Sequence, residues 1–124
     1  MNLVDSSGWL EYFADGPNAD YFTEVLSNPE ELIVPTISLF EVFKVILRTR
    51  NENDAIQAIA LMKQGIVVEL TSGIAIQSAR ISYDKKLPMA DSIILATAQY
   101  YDAIIWTMDE HFENLERVKY FQKK

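Results

Sequence analysis

Short apolar runs alternate along this chain with longer stretches of helical period, and that alternation restricts the fold more than any other feature of the sequence. The runs at 3–4, 32–34, 66–70 and 103–106, with a weaker fifth at 118–121, are apolar and largely β-branched, as strands covered on both faces are. Pro17 suits the first turn of a helix carrying Tyr21, Phe22, Val25 and Leu26. Thr36 or Ser38 is placed to cap a longer helix, in which Leu39, Phe40, Phe43, Ile46 and Leu47 form one stripe and Val42 and Val45 begin a second. Asp54 is the expected cap of the next helix, which carries Ile56, Ile59 and Ala60 and stops at Gly65. Ser72 opens a helix that Pro88 ends, and 89–101 is apolar nearly all round, the pattern of a central buried helix. Strands alternating with helices build right-handed βαβ units. The expectation is a three-layer α/β/α fold with a mostly parallel five-stranded sheet.

Length and composition narrow the class further. At 124 residues and 49% hydrophobic, the chain suits one domain spanning 1–124 with a sizeable core. The absence of Cys excludes disulfides, a thiolate nucleophile and Cys-ligated zinc or iron–sulfur centres. No apolar stretch approaches the roughly 18–20 residues of a membrane span, and Met1-Asn2-Leu3-Val4-Asp5 has no basic region of the signal-peptide kind. A soluble, cytoplasmic protein without membrane contact is expected. Four dispersed glycines (Gly8, Gly16, Gly65 and Gly73) leave no phosphate-cradling loop.

Charge is unevenly spread. Residues 1–43 hold eight acids and no Lys, Arg or His, so they carry −8, whereas 44–124 hold ten acids and eleven Lys+Arg, or +1. A net charge of −7 argues against non-specific adhesion to nucleic acid, though not against an enzyme that engages nucleic acid through metal ions.

Ligands of open α/β sheets bind at the carboxyl edge, and four acids fall there. Asp5 follows the first strand and Glu41 lies near the start of the helix after the second. Asp91 opens the helix leading to the fourth strand, and Asp109 follows that strand in Trp106-Thr107-Met108-Asp109. Each acid also has a structural reading. Glu41 closes a capping box with Ser38, Glu110 closes one with Thr107, and Asp91 and Asp109 suit first-turn dipoles. Convergence changes the reading, because carboxylates crowded together repel unless a cation neutralises them. Oxygen donors without His or Cys suit Mg²⁺ or Mn²⁺, whose recurrent use is phosphodiester hydrolysis by activated water.

The same residues carry a family resemblance. Leu3-Val4-Asp5-Ser6-Ser7, Pro35-Thr36-Ile37-Ser38-Leu39-Phe40-Glu41-Val42, Leu87-Pro88-Met89-Ala90-Asp91-Ser92-Ile93-Ile94 and Trp106-Thr107-Met108-Asp109-Glu110-His111-Phe112 occur in order along the chain. Together they resemble the PIN-domain ribonucleases, specifically the VapC-type toxins of prokaryotic toxin–antitoxin pairs. The resemblance implies a five-stranded parallel sheet between helices and Mg²⁺- or Mn²⁺-dependent endonucleolytic cleavage of RNA. It implies that Asp5, Glu41 and Asp91 line the metal site, that Asp109 is the more variable fourth acid, and that Ser6 and Thr107 supply orienting hydroxyls. It further implies a homodimer silenced by a cognate antitoxin.

Other residues have competing readings. Lys44 and Arg48 follow Glu41 at helical spacing, to meet phosphates or to pair with Glu41 or Glu52; Arg80, Lys85 and Lys86 form a phosphate track or a solvated face. His111, the only histidine, reads as an ordinary loop residue rather than a general base. Trp9, Tyr12, Phe13, Tyr21 and Phe22 have the helical spacing of packing residues, with base stacking or an antitoxin groove as alternatives. Two rival functions stand beside the ribonuclease: a non-catalytic interaction module, and a receiver-type Mg²⁺-binding domain. The receiver needs an Asp at the third strand, where Ile66-Val67-Val68-Glu69-Leu70 has none.

Overall fold

A computed structural model describes residues 1–124. The strands are β1 (Asn2–Val4), β2 (Ile33–Pro35), β3 (Ile66–Val68), β4 (Ile104–Thr107) and β5 (Val118–Tyr120). The helices are α1 (Ser6–Phe13), α2 (Ala19–Leu26), α3 (Thr36–Thr49), α4 (Glu52–Met62), α5 (Ser72–Lys85) and α6 (Met89–Tyr100). All strand pairings are parallel: β1 with β4, β4 with β5, and β2 with β3. The two groups meet through one parallel bridge, Asn2 to Leu32, which gives the spatial order β3-β2-β1-β4-β5. The expected sheet is therefore present, with a seam between β1 and β2.

Alternation along the strands divides the core into two layers. Leu3, Ile33 and Ile105 pack with Ile74, Ile81, Ile94 and Leu95 of α5 and α6. Val4, Leu32 and Val34 pack on the other face with Trp9, Phe22, Val42, Ile46 and Met62 of α1–α4. The inner strands β1, β2 and β4 thus lie between two packed layers, which is why such short segments hold. The edge strands β3 and β5 are the exceptions, and no residue of β5 is fully buried. Ile66 and Val67 are 40% and 37% exposed, as expected at a sheet edge, and β3 ends at Val68 rather than at residue 70.

Several helix starts differ from the sequence expectation. Asn51, not Asp54, caps α4, and its side chain accepts the Asp54 N–H at 2.8 Å. Helix α3 begins at Thr36 behind Pro35 with no side-chain cap. Ser38 is consequently inside the first turn and fully buried, so no capping box joins it to Glu41. The short helix α1 is set by Asp5, which caps it by accepting the Gly8 N–H at 3.2 Å. Gly8 allows α1 to lie close against the sheet, because a Cβ there would stand 2.6 Å from Val4 Cγ1 and 2.8 Å from Phe22 Cε1. Helix α6 buries Ser92 through Ala98 without interruption, as its all-round apolar pattern requires.

A candidate metal centre at the carboxyl edge

The chain leaves β1 towards β2 on one side and reaches β4 on the other, so a crevice opens beyond the carboxyl ends of β1 and β4. Asp5 forms its floor. This carboxyl is 4% exposed and held on both oxygens. Ser7 Oγ and the Gly8 N–H donate to Oδ1 at 2.6 and 3.2 Å, and Thr107 Oγ1 donates to Oδ2 at 2.8 Å. The two hydroxyls also fix the strand beyond β4. Ser7 Oγ accepts the Met108 N–H at 2.9 Å, and Thr107 Oγ1 accepts the Asp109 N–H at 2.8 Å. Burial raises the Asp5 pKa to about 6 against these hydrogen bonds, which favour the carboxylate, with the Asp109 charge adding to the rise.

The other three expected acids surround that floor. Glu41, in the second turn of α3, accepts from Ser6 Oγ at 3.1 Å. Its pKa is raised by burial and by Asp109. Asp91, in the first turn of α6, is raised to about 7 by burial, by the charge of Asp109 and by a hydrogen bond with it; Asp5 adds to the rise and His111 opposes it. Asp109 is thus the acid whose charge reaches all three others. Four segments far apart in sequence bring acids within electrostatic reach of Asp109. Only Asp91 and Asp109, joined by His111, have ligand atoms within 4.8 Å of one another; Asp5 and Glu41 stand outside that group. No Lys or Arg lies within ion-pair distance of any of the four; the Arg pairs of the molecule are Arg50–Asp54 and Arg117–Asp102.

His111 departs from expectation. It is not an uninvolved loop residue: its Nδ1 lies 3.0 Å from Asp91 Oδ2 and 3.0 Å from Asp109 Oδ1. Asp109 caps the 3-10 turn Glu110–Phe112 by accepting the His111 N–H at 2.9 Å, and this turn swings the imidazole back over the acids. Ser7 is a second residue with no role expected from the sequence, where Ser6 and Thr107 are the orienting hydroxyls; it is Ser7 that shares Asp5 with Thr107, while Ser6 holds Glu41. For His111 and Ser7 alike, the signal is a spacing of two residues from a site acid, at Asp109–His111 and Asp5–Ser7, and it acquires meaning only once a turn type is known.

Of the remaining candidates, Lys44 and Arg48 pair with neither Glu41 nor Glu52, and Lys44 Nζ lies 5.7 Å from the Phe40 ring centre. Arg80, Lys85 and Lys86 are exposed. Trp9 and Phe22 are core residues, Trp9 stacks on Phe13, and Tyr21 stacks on Phe121 at 4.5 Å. Packing accounts for these aromatics. Beside the acids, a cleft of about 480 Å³ is lined by Ser7, Met108, Asp109, Glu110, His111, Tyr120, Gln122 and Lys123.

The donor set fits a hard or borderline divalent cation, being oxygen-rich with one imidazole at its rim. Ligand atoms of Asp91, Asp109 and His111 all lie within 4.8 Å of one another. Burial and the charge of Asp109 hold part of the negative charge of Asp91 suppressed despite His111, and a cation among the acids would restore it.

Comparison with known proteins agrees with this architecture. The profile of the PIN domain matches residues 3–118. No curated protein matches the sequence. Among solved structures, a toxin–antitoxin complex from Klebsiella pneumoniae has a chain similar over 98% of this chain and 99% of its own, at TM-score 0.83 and 21% identity. VapC20 of Mycobacterium tuberculosis, a Sarcin-Ricin loop cleaving toxin, is similar over 94% of this chain and 95% of its own, at TM-score 0.77 and 17% identity. VapBC2 of Rickettsia felis, bound to a DNA fragment from its promoter, is similar over 98% and 97% respectively, at TM-score 0.75 and 10% identity.

Proposed function

The chain belongs to the PIN-domain family, and we propose that it is a single-domain, metal-dependent endoribonuclease, the toxin of a VapBC-type toxin–antitoxin pair. What supports this reading is the crowding of Asp91 against Asp109, whose charge also reaches Asp5 and Glu41, with no Lys or Arg partner at any of the four. These four carboxylates are the proposed holders of Mg²⁺ or Mn²⁺. When bound, the ion supplies Lewis-acid stabilisation of phosphoryl charge and activation of water.

The protein's own groups do the rest. Thr107 and Ser7 keep both Asp5 oxygens oriented, and Ser6 holds one Glu41 oxygen, so the acids need little rearrangement on loading. The adjoining cleft accommodates the RNA backbone, and Lys123 is the one Lys or Arg on its lining, placed to meet a phosphate beside the reacting one. The acidic remainder of the chain limits indiscriminate RNA adhesion and favours a basic partner. Exposed Phe40 and Leu47 on α3, and Tyr83 and Met89 on α5 and α6, support two protein interfaces, for an antitoxin and for a second copy in a homodimer. No helix is long and apolar enough to cross a membrane, in keeping with action in the cytoplasm.

The test is cleavage of RNA with Mg²⁺ or Mn²⁺ against EDTA, repeated with Asp5→Asn and Asp91→Asn. Cleavage that needs the ion and is lost in both variants supports the assignment. Undiminished cleavage in both removes it, and a melting temperature indifferent to Mn²⁺ would favour a non-catalytic module.

A further inference from the structure

The imidazole of His111 has a position that neither packing nor capping requires. Its ring is 52% exposed, so burial gives no reason for it to fold back, yet Nδ1 stands 3.0 Å from one oxygen of each of two acids. Those acids come from different elements, Asp91 from α6 and Asp109 from the segment after β4. The same Asp109 oxygen also accepts the His111 backbone N–H at 2.9 Å, which ties the ring and the carboxylate into one rigid unit.

Resting on the metal reading of the site, we propose that His111 Nδ1 is itself a ligand of the bound ion, forming with Asp91 and Asp109 a mixed nitrogen–oxygen rim. Adjacent ligands of an octahedral ion at about 2.1 Å stand roughly 3.0 Å apart, the separation found here for both nitrogen–oxygen pairs. All three ligand atoms lie within 4.8 Å of one another, close enough for a single ion to meet them together. Exposure of the ring leaves the Nε2–H to water, which satisfies the second nitrogen of a neutral imidazole. Nitrogen also changes which ion is preferred. An all-oxygen set suits Mg²⁺, whereas imidazole adds affinity for Mn²⁺ and more for Co²⁺, following the usual first-row order. The centre is accordingly selective for first-row transition ions over Mg²⁺, and that selectivity resides in one side chain.

The experiment compares the wild type with His111→Gln and His111→Ala by calorimetric titration with MgCl₂, MnCl₂ and CoCl₂ near neutral pH. Electron spin-echo spectroscopy of the Mn²⁺-loaded wild type and His111→Gln accompanies it. Both variants alter an exposed ring, and metal-free melts verify that they fold. The expected result is loss of Co²⁺ affinity by about 10-fold or more in the variants, with Mg²⁺ affinity changed by less than about twofold. Nitrogen modulation on Mn²⁺ should be seen in the wild type and lost in His111→Gln. Absence of that modulation in Mn²⁺-loaded wild type, or an equal loss for all three ions, overturns the ligand assignment. A gain for all three overturns it too, since the imidazole would then be a counter-charge that metal must displace. Failure of the wild type to bind any divalent ion is a separate result, and it removes the metal reading itself.

Discussion

The floor and the rim of the acidic crevice are built on opposite principles. At the floor, both oxygens of Asp5 are satisfied by hydroxyl and amide donors that belong to the same small network as the chain beyond β4. Burial raises both acids, but at Asp5 three hydrogen bonds oppose the rise, whereas at the rim, where Asp91 meets a second carboxylate and an imidazole, the charge of Asp109 adds to it. A carboxylate satisfied by the protein is a fixed reference point. One that is left against a like charge is a demand for a cation. The difference teaches that this site is preorganised on one side and crowded with like charge on the other.

The sharpest way to break the comparison is to neutralise one acid of each kind. Asp5→Asn and Asp91→Asn should each lower metal-dependent cleavage by about 100-fold or more, read from initial rates on RNA. Their metal-free stabilities should move in opposite directions. Asp91→Asn relieves repulsion with Asp109 and raises the melting temperature at neutral pH. Asp5→Asn sets an amide N–H₂ against the Ser7, Gly8 or Thr107 donors and lowers it.

Stability against pH is the next largest effect. Asp5 titrates at about 6 in the fold against an ordinary 3.8, so the native state binds the proton more tightly than the unfolded chain does. Its contribution is therefore present at low pH and is lost as pH rises from about 4 through the folded value, by up to about 3 kcal/mol. Asp91, raised for the reasons given above, extends that loss towards pH 7. Melts in EDTA should show declining stability across this window, and Mn²⁺ should reverse the decline most at its upper end. A flat profile would mean that the rim charges are already compensated.

Two hydroxyl deletions grade the floor against its periphery. Thr107→Val removes the donor to Asp5 and the acceptor of the Asp109 N–H, both buried or nearly so, at a cost of about 2 kcal/mol in denaturant unfolding. Ser6→Ala removes one part-buried bond to Glu41 and should cost about 1 kcal/mol or less. A larger effect at Ser6 than at Thr107 would invert the floor-and-rim distinction.

Much of this arrangement was legible in the sequence because it depends on periodicity. Strand runs such as 32–34 and 103–106, and the all-round apolar α6, left little freedom in the fold, and the parallel sheet then placed Asp5, Glu41, Asp91 and Asp109 along one edge. What could not be read depends on local geometry finer than a period. The cap of α4 fell to Asn51 rather than Asp54, three residues apart and both good caps. Glu41 matched a capping box in letters, but α3 starts at Thr36 and so puts Ser38 inside the helix. His111 needed a 3-10 turn, a bend without a strong apolar signature, before its relation to Asp91 could exist.

The seam between β1 and β2, where only Asn2 and Leu32 bridge the two groups of strands, has a mechanical meaning. Glu41 rides on α3, which continues directly from β2, whereas Asp5 and Asp109 extend from β1 and β4. An ion gripped by acids from both sides would act as a rivet across the weakest join in the sheet. Loading should then slow amide exchange in β2 and in β3 beyond it, and the sheet would be stiffest when the ion is bound.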